Sequence, residues 1–163
     1  MGKRNHLPLY GVGPVIVFGQ FIFTAISIIL TCIFDVQFPV KDGISLLFKA
    51  TGVALIAYGL YLDISAKLKS KIFVGVAENK LITDGVYGIV RNPVYSFALL
   101  SCTGAVLIAN NLILLLVPVI CWLYMTLFLI HTEEKWLKEL YGQEYVSYCQ
   151  RVNRCIPWFP KKK

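Results

Sequence analysis

The chain has 163 residues, of which 57% are hydrophobic and 15% are charged, and its formal net charge is +7. So apolar a composition is rare among soluble domains of this length and indicates a membrane protein. The basic residues flank apolar segments, so attraction to anionic lipid head groups explains the charge better than nucleic-acid binding does. No Cys-x-x-Cys pair and no histidine cluster occurs, so we predict no metal site.

The first half of the chain contains two apolar segments that predict membrane-spanning helices. A helix that crosses about 30 Å of hydrocarbon needs about 20 predominantly apolar residues. The segment from Pro14 to Phe34 contains no charge and predicts the first span. The segment from Ile44 to Leu62 predicts the second, because its one charged residue, Lys49, can extend its long side chain to the membrane edge.

A longer uncharged segment runs from Asn92 to Ile130. One straight helix of that length would reach about 58 Å, which exceeds the thickness of a bilayer, so the segment is predicted to fold back on itself. The turn is placed at Asn110-Asn111, with a third span from about Val94 to Ala109 and a fourth from about Leu112 to Ile130. Pro118 is predicted to kink the fourth span.

The distribution of basic residues predicts the orientation, because Lys and Arg are enriched in cytoplasmic segments near membrane ends. The two segments on the opposite side are poor in them. We therefore predict a multi-pass protein, of a cell inner membrane or an endoplasmic-reticulum-type membrane, with both termini and the middle loop in the cytoplasm. The basic residues on that side are Lys3, Arg4, Lys67, Lys69, Lys71, Lys80, Arg91, Lys135, Lys138, Arg151, Arg154, Lys161, Lys162 and Lys163.

The overall prediction is an all-α integral membrane bundle of about four transmembrane helices with a C-terminal amphipathic cytoplasmic helix. No polar linker or repeat divides the chain, so residues 1–163 are predicted to form one domain. In the tail, Leu137, Tyr141, Tyr145 and Tyr148 recur at spacings of three and four, and they share one face if the helix continues through Gly142. Glu134 borders that face. Its simplest partner is Lys138, four residues later on a solvated surface.

Two cytoplasmic stretches contain most of the chemically capable residues, and they carry short motifs in a fixed order. The series resembles that of the membrane superfamily that includes isoprenylcysteine carboxyl methyltransferases and phospholipid N-methyltransferases. The resemblance covers roughly the second half of the chain, and the ordered combination is more specific than any one motif. The motifs are Gly85-Val-Tyr87, Arg91-Asn-Pro93-Val-Tyr95, Glu133-Glu134, Gly142-Gln-Glu-Tyr145-Val-Ser-Tyr148 and Ile156-Pro157.

This resemblance implies an S-adenosylmethionine-dependent integral membrane methyltransferase. The substrate would be a lipophilic acceptor, a prenylcysteine-type carboxylate or a related membrane-soluble molecule, in contact with membrane lipids. A sulfonium cofactor needs aromatic faces, carboxylate acceptors and donors for its own carboxylate. Arg91 and Glu134 are the predicted catalytic residues. The predicted cofactor-binding residues are Gly85, Tyr87, Arg91, Asn92, Pro93, Tyr95, His131, Glu133, Glu134, Tyr145 and Tyr148.

Two positions depart from the pattern of the superfamily. Asn92 stands where these proteins usually have His, and Leu129 stands where many carry an Arg thought to hold the substrate carboxylate. The sequence therefore supports the cofactor better than it supports that one substrate. Two alternatives are an NADPH-dependent sterol-reductase-like enzyme, in which Asn usually stands at the position of Val94, and a non-catalytic membrane scaffold. Nothing in the sequence predicts the oligomeric state.

Overall fold

The computed structural model describes residues 12–68 and 80–158. The basic residues predicted at positions 3, 4, 69, 71 and 161–163 lie outside the described residues. Six α-helices are described, together with two 3₁₀ turns, Gly85–Gly88 and Leu112–Leu115. The helices are α1 (Gly13–Ile33), α2 (Asp42–Leu68), α3 (Pro93–Ala109), α4 (Leu116–His131), α5 (Glu133–Tyr141) and α6 (Gln143–Arg151).

The four predicted spans correspond to α1 to α4. Three stretches, Gly13–Ile33, Asp42–Leu68 and Leu112–Tyr141, are long and apolar enough to cross a membrane. Helix α3 is shorter, with 17 residues, and it would extend about 26 Å, near the lower end of the range for a membrane span. The predicted all-α membrane bundle is confirmed, and the protein is a multi-pass membrane protein.

Helices α2 and α3 approach each other closely because glycines meet at their crossing. A Cβ added at Gly52 would lie 2.6 Å from the carbonyl oxygen of Gly104, and a Cβ at Gly59 would lie 3.2 Å from the carbonyl oxygen of Phe97. Small residues allow this close backbone approach, which supplies the van der Waals contacts that hold membrane helices together. Helices α1, α3 and α4 enclose a second contact region, in which Ile16, Met125 and Leu129 are fully buried.

The turn predicted at Asn110-Asn111 is confirmed. Asn110 adopts a left-handed conformation with φ 54°, and the side chain of Asn111 accepts hydrogen bonds from the backbone N–H groups of Phe38 and Ile113. Asn111 also donates to the carbonyl oxygen of Val36 at 2.7 Å. The α1–α2 connection therefore packs on the α3–α4 connection, and both lie at the same end of the bundle.

The fourth span and the tail differ from the prediction in detail. Pro118 lies in the first turn of α4, where an α-helical N–H is not required, and a 3₁₀ turn precedes the helix. The kink predicted at Pro118 stays a prediction. The amphipathic tail is not one continuous helix, because Gly142 has φ 55° and separates α5 from α6. Leu137, Tyr145 and Tyr148 still share one apolar cluster.

Candidate functional site

The candidate site lies at the end of the bundle opposite the Asn111 turn. Gly85 begins the 3₁₀ turn with φ 60°, a left-handed conformation that glycine adopts without steric cost. After this turn, Pro93 occupies the first turn of α3, where its missing N–H is not needed. The loop thus delivers Arg91 and Asn92 to the start of α3, next to α5 and the segment that follows α6.

Glu134 is the centre of a buried ionic cluster with two arginines. Arg91 Nη2 lies 3.2 Å from Glu134 Oε1, and the exposed fractions of the two side chains are only 7% and 5%. Arg154 Nε lies 2.5 Å from Glu134 Oε1, and Arg154 Nη2 lies 3.1 Å from Glu134 Oε2. The hydrogen bond with the carboxylate raises the pKa of Arg154. The alternative in which Glu134 pairs with Lys138 on a solvated surface is wrong.

Arg91 also joins this cluster to the aromatic side chains of α6. Its Nη1 donates to the hydroxyl of Tyr145 at 3.4 Å and to the sulfur of Cys149, and its guanidinium carbon lies 5.9 Å from the centre of the Tyr145 ring. Tyr145 is 2% exposed, and burial is the main cause of its raised pKa. The side chain of Arg91 is therefore buried within the candidate site.

Glu133 makes a second polar contact, between α5, α3 and α1. Tyr95 donates its hydroxyl hydrogen to Glu133 Oε1 at 2.5 Å, and the backbone N–H of Val12 donates to the same oxygen at 3.3 Å. The neighbouring glutamates thus have different partners, since Glu134 faces two cations and Glu133 faces a phenol and a backbone amide. The start of α1 belongs to the same end of the bundle as both motif segments.

Tyr87 and Tyr148 connect the 3₁₀ turn to α6. The hydroxyl of Tyr148 donates to the carbonyl oxygen of Tyr87 at 2.6 Å. Burial raises the pKa of both phenols, and the negative charges of Glu133 and Asp63 raise that of Tyr87 further. Asp63 lies close to this group, because its neighbours Leu62 and Ala66 in α2 pack in the same apolar cluster as Tyr87.

Asn92 holds the segment after α6 and does not cap its own helix. It occupies the residue before α3, yet its side chain makes no capping hydrogen bond. Its backbone N–H and its Nδ2 both donate to the carbonyl oxygen of Arg154, at 3.1 and 3.0 Å. The backbone carbonyl of Asn92 accepts instead from the hydroxyl and N–H of Ser96, both at 2.9 Å.

Most of the predicted site residues come together, with His131 as the clear exception. His131 is exposed, and its Nδ1 lies 2.8 Å from the carbonyl oxygen of Leu127 within its own helix. Together with Lys135 and Lys138 it lines an open surface hollow, and not the ionic cluster. Its assignment to cofactor binding stays a prediction, as do the roles of the other residues.

The structure adds two residues that the motifs did not predict, Arg154 and Asp63. Arg154 follows the tail motifs, and only its position close to Ile156-Pro157 could have drawn attention to it. Asp63 lies one residue beyond the predicted second span and is 8% exposed, with Lys67 Nζ 2.7 Å from its Oδ2. A carboxylate so deeply buried beside Leu62 and Ala66 was not detectable from the sequence pattern.

The fold and site together define a membrane helical bundle with a buried ionic and aromatic site at one end. Residues 47–144 match the model of the family described as phospholipid methyltransferase. The chain belongs to this family, and the superfamily recognised from the motifs is confirmed. No solved structure matches the chain significantly.

Several curated proteins are similar to this chain. Protein-S-isoprenylcysteine O-methyltransferase B of Arabidopsis thaliana is 37% identical over 81 residues, which cover 49% of this chain and 41% of that protein. Phosphatidylethanolamine N-methyltransferase of Zygosaccharomyces rouxii is 30% identical over 112 residues, 64% of this chain and 13% of that protein. Protein-S-isoprenylcysteine O-methyltransferase of Schizosaccharomyces pombe is 29% identical over 121 residues, 69% of this chain and 51% of that protein. The chain thus spans about half of the length of these relatives or less.

Proposed function

We propose that this chain is an S-adenosylmethionine-dependent methyltransferase that acts on a lipophilic acceptor at the membrane surface. The observation that carries the proposal is the direct contact of two motifs 43 positions apart, since Arg91 Nη2 lies 3.2 Å from Glu134 Oε1. Both residues lie within the part of the chain that matches the family. Buried charges cost free energy unless they are paired, and such clusters concentrate at functional sites.

The side chains at this end of the bundle fit the chemistry of the cofactor. Tyr87, Tyr95 and Tyr145 supply buried aromatic faces for a sulfonium cation and an adenine ring. Glu133 supplies a carboxylate acceptor for hydroxyl or ammonium groups. Arg91 supplies a donor for the carboxylate of the cofactor, because its Nε is buried and no described residue accepts a hydrogen bond from it.

The protein's part in methyl transfer is chiefly positioning. When bound, S-adenosylmethionine supplies a methyl group that is already activated for displacement, so little acid–base chemistry is required. Arg91 and Glu134 would hold one end of the cofactor. Tyr87 of the Gly85–Gly88 turn and the tyrosines of α6 would exclude water from its other parts. Holding two reactants in line in a dry site removes much of the entropic barrier to a displacement.

The acceptor is proposed to enter from the bilayer. Apolar side chains of α1 and α2 are exposed along much of their length, for example Phe18, Ile29 and Leu46, so the bundle presents a lipid-facing surface. The relatives are named for methylation of an isoprenylcysteine and of phosphatidylethanolamine, and both are lipophilic acceptors. We place the site in the cytoplasm on the basis of the basic residues at this end, so that a water-soluble cofactor meets a membrane-embedded substrate.

Isothermal titration calorimetry of the protein purified in detergent tests the cofactor assignment. We expect saturable binding of S-adenosylmethionine and of its product S-adenosylhomocysteine, and no binding of NADPH in a parallel fluorescence titration. Binding of NADPH without S-adenosylmethionine would instead support a reductase. If the protein bound neither cofactor, the result would support a non-catalytic scaffold and would refute the proposal.

A further inference from the structure

The segment after α6 is fastened to the arginine motif by its backbone. We call residues Val152–Cys155 the carboxyl-terminal turn. The N–H of Arg91 donates to the carbonyl oxygen of Asn153 at 2.9 Å, and the N–H of Asn92 donates to that of Arg154 at 3.1 Å. Ser96 Oγ donates to the carbonyl oxygen of Cys155 at 2.6 Å. These bonds place Arg154 beside Glu134 although 20 positions separate the two residues in the chain.

The side chain of Arg154 fixes the orientation of the Glu134 carboxylate. Its Nε and Nη2 bind the two different oxygens of Glu134, at 2.5 and 3.1 Å. This paired geometry is specific to a guanidinium, because the planar group matches both oxygens at once, whereas an ammonium acts as a point charge. Arg91 then binds one of the same oxygens, so its own position depends on a carboxylate that Arg154 has already oriented.

The cluster also carries surplus positive charge. Two guanidinium groups face the Glu134 carboxylate, since the neighbouring Glu133 is bonded to Tyr95 and to the N–H of Val12 instead. Arg91 and Glu134 are almost completely buried, and Arg154 is 29% exposed. A surplus cation in a buried site favours an anionic group on a ligand. In S-adenosylmethionine that group is the carboxylate of the methionine moiety, whereas 5′-methylthioadenosine has no such group.

We propose that Arg154 is a positioning residue for the amino-acid end of the cofactor. It holds Glu134, Glu134 holds Arg91, and the carboxyl-terminal turn thereby determines how tightly the carboxylate of the ligand is bound. This inference rests on the proposed function. It assigns a role to a residue that lies outside residues 47–144, the part of the chain that matches the family.

Three variants test the proposal, with Arg154→Gln as the main change. Arg154→Lys keeps the charge without the paired geometry, and Arg151→Gln is the matched control, because Arg151 is exposed at the end of α6. Calorimetry would measure the affinity of each for S-adenosylhomocysteine and for 5′-methylthioadenosine. We expect Arg154→Gln to weaken the binding of S-adenosylhomocysteine about tenfold and the binding of 5′-methylthioadenosine less than about twofold. A lost charged hydrogen bond typically changes affinity by about the larger factor. The affinities of Arg154→Lys should be intermediate. The control should bind both ligands as the unmodified protein does.

A second measurement does not depend on a ligand. Hydrogen–deuterium exchange of peptides containing Arg91 and Asn92 should be faster in Arg154→Gln than in Arg151→Gln, because the N–H groups of both residues are bonded to the carboxyl-terminal turn. Equal exchange in the two variants would overturn the positioning role even if the unmodified protein bound no cofactor. If the protein binds S-adenosylmethionine, the positioning role would be overturned by equal weakening of the binding of both ligands in Arg154→Gln, or by affinities within about twofold of the control. Failure of the unmodified protein to bind S-adenosylmethionine would refute the proposed function itself, and with it the role given to Arg154.

Discussion

Replacing Glu134 by Gln is the sharpest perturbation of the buried cluster. The variant keeps the size of the side chain but removes the charge that faces Arg91 and Arg154. Loss of one partner from a buried ion pair costs about 3–5 kcal/mol, because the remaining charge stays buried without compensation. Arg154 is 29% exposed and can regain hydrogen bonds to water, whereas Arg91 is 7% exposed and cannot. We therefore expect Glu134→Gln to lower the free energy of unfolding by about 3 kcal/mol.

Thermal unfolding in detergent would measure this effect. For a chain of this size, 1 kcal/mol corresponds to about 2–4 °C in melting temperature, so Glu134→Gln should melt roughly 6–12 °C below the unmodified protein. Glu144→Gln is the control, because Glu144 is exposed in the first turn of α6. Affinity for S-adenosylmethionine should fall in Glu134→Gln alone. Melting within about 2 °C of the control, with unchanged affinity, would refute both the burial argument and the placement of the site.

Two further predictions concern packing and pH. Gly104→Ala should destabilise the protein by about 1–3 kcal/mol, because the added Cβ would collide with the carbonyl oxygen of Gly52. Gly43→Ala is the control, because no atom lies within 4 Å of the added Cβ, and thermal unfolding of both variants measures the difference. Tyr148→Phe should cost about 1 kcal/mol through loss of the hydrogen bond to the carbonyl oxygen of Tyr87, measured in the same way. The raised pKa of Tyr148 stabilises the fold below the ordinary pKa of tyrosine, and this contribution is lost as the pH rises toward the folded-state value. The stability difference between the unmodified protein and Tyr148→Phe should therefore shrink and then change sign as the pH rises from 8 past the ordinary pKa of tyrosine, and a constant difference would contradict this.

The helices could be predicted because a segment that crosses the membrane must be almost free of charged residues. The helix ends could not be predicted from charge alone. The second span was predicted to end at Leu62, whereas α2 continues to Leu68. Asp63 and Lys67 interrupt the apolar pattern, but they pair with each other at a spacing of four within the helix. A rule based on single charges cannot anticipate that two of them stay in the helix as a pair.

The candidate site could be predicted only as far as its motifs. The resemblance assigned Arg91 and Glu134 to one site, and the two side chains are in contact, but their roles stay predictions. Arg154 was not predicted, because it reaches Glu134 through a non-helical turn whose bonds are made by the backbone of distant residues. Periodicity describes contacts within a helix, so it favoured Lys138 as the partner of Glu134 and missed the two arginines that bind it.

The two departures from the superfamily pattern have different structural consequences. Asn92 uses its amide to hold the carbonyl oxygen of Arg154, so this position strengthens the attachment of the carboxyl-terminal turn. Leu129 is fully buried in the apolar core between α1 and α4, and it offers no charge to a substrate. The cations of the candidate site come instead from the loop before α3 and from the carboxyl-terminal turn, where both already bind Glu134. A carboxylate on the proposed acceptor would therefore have to be bound by a residue other than Leu129.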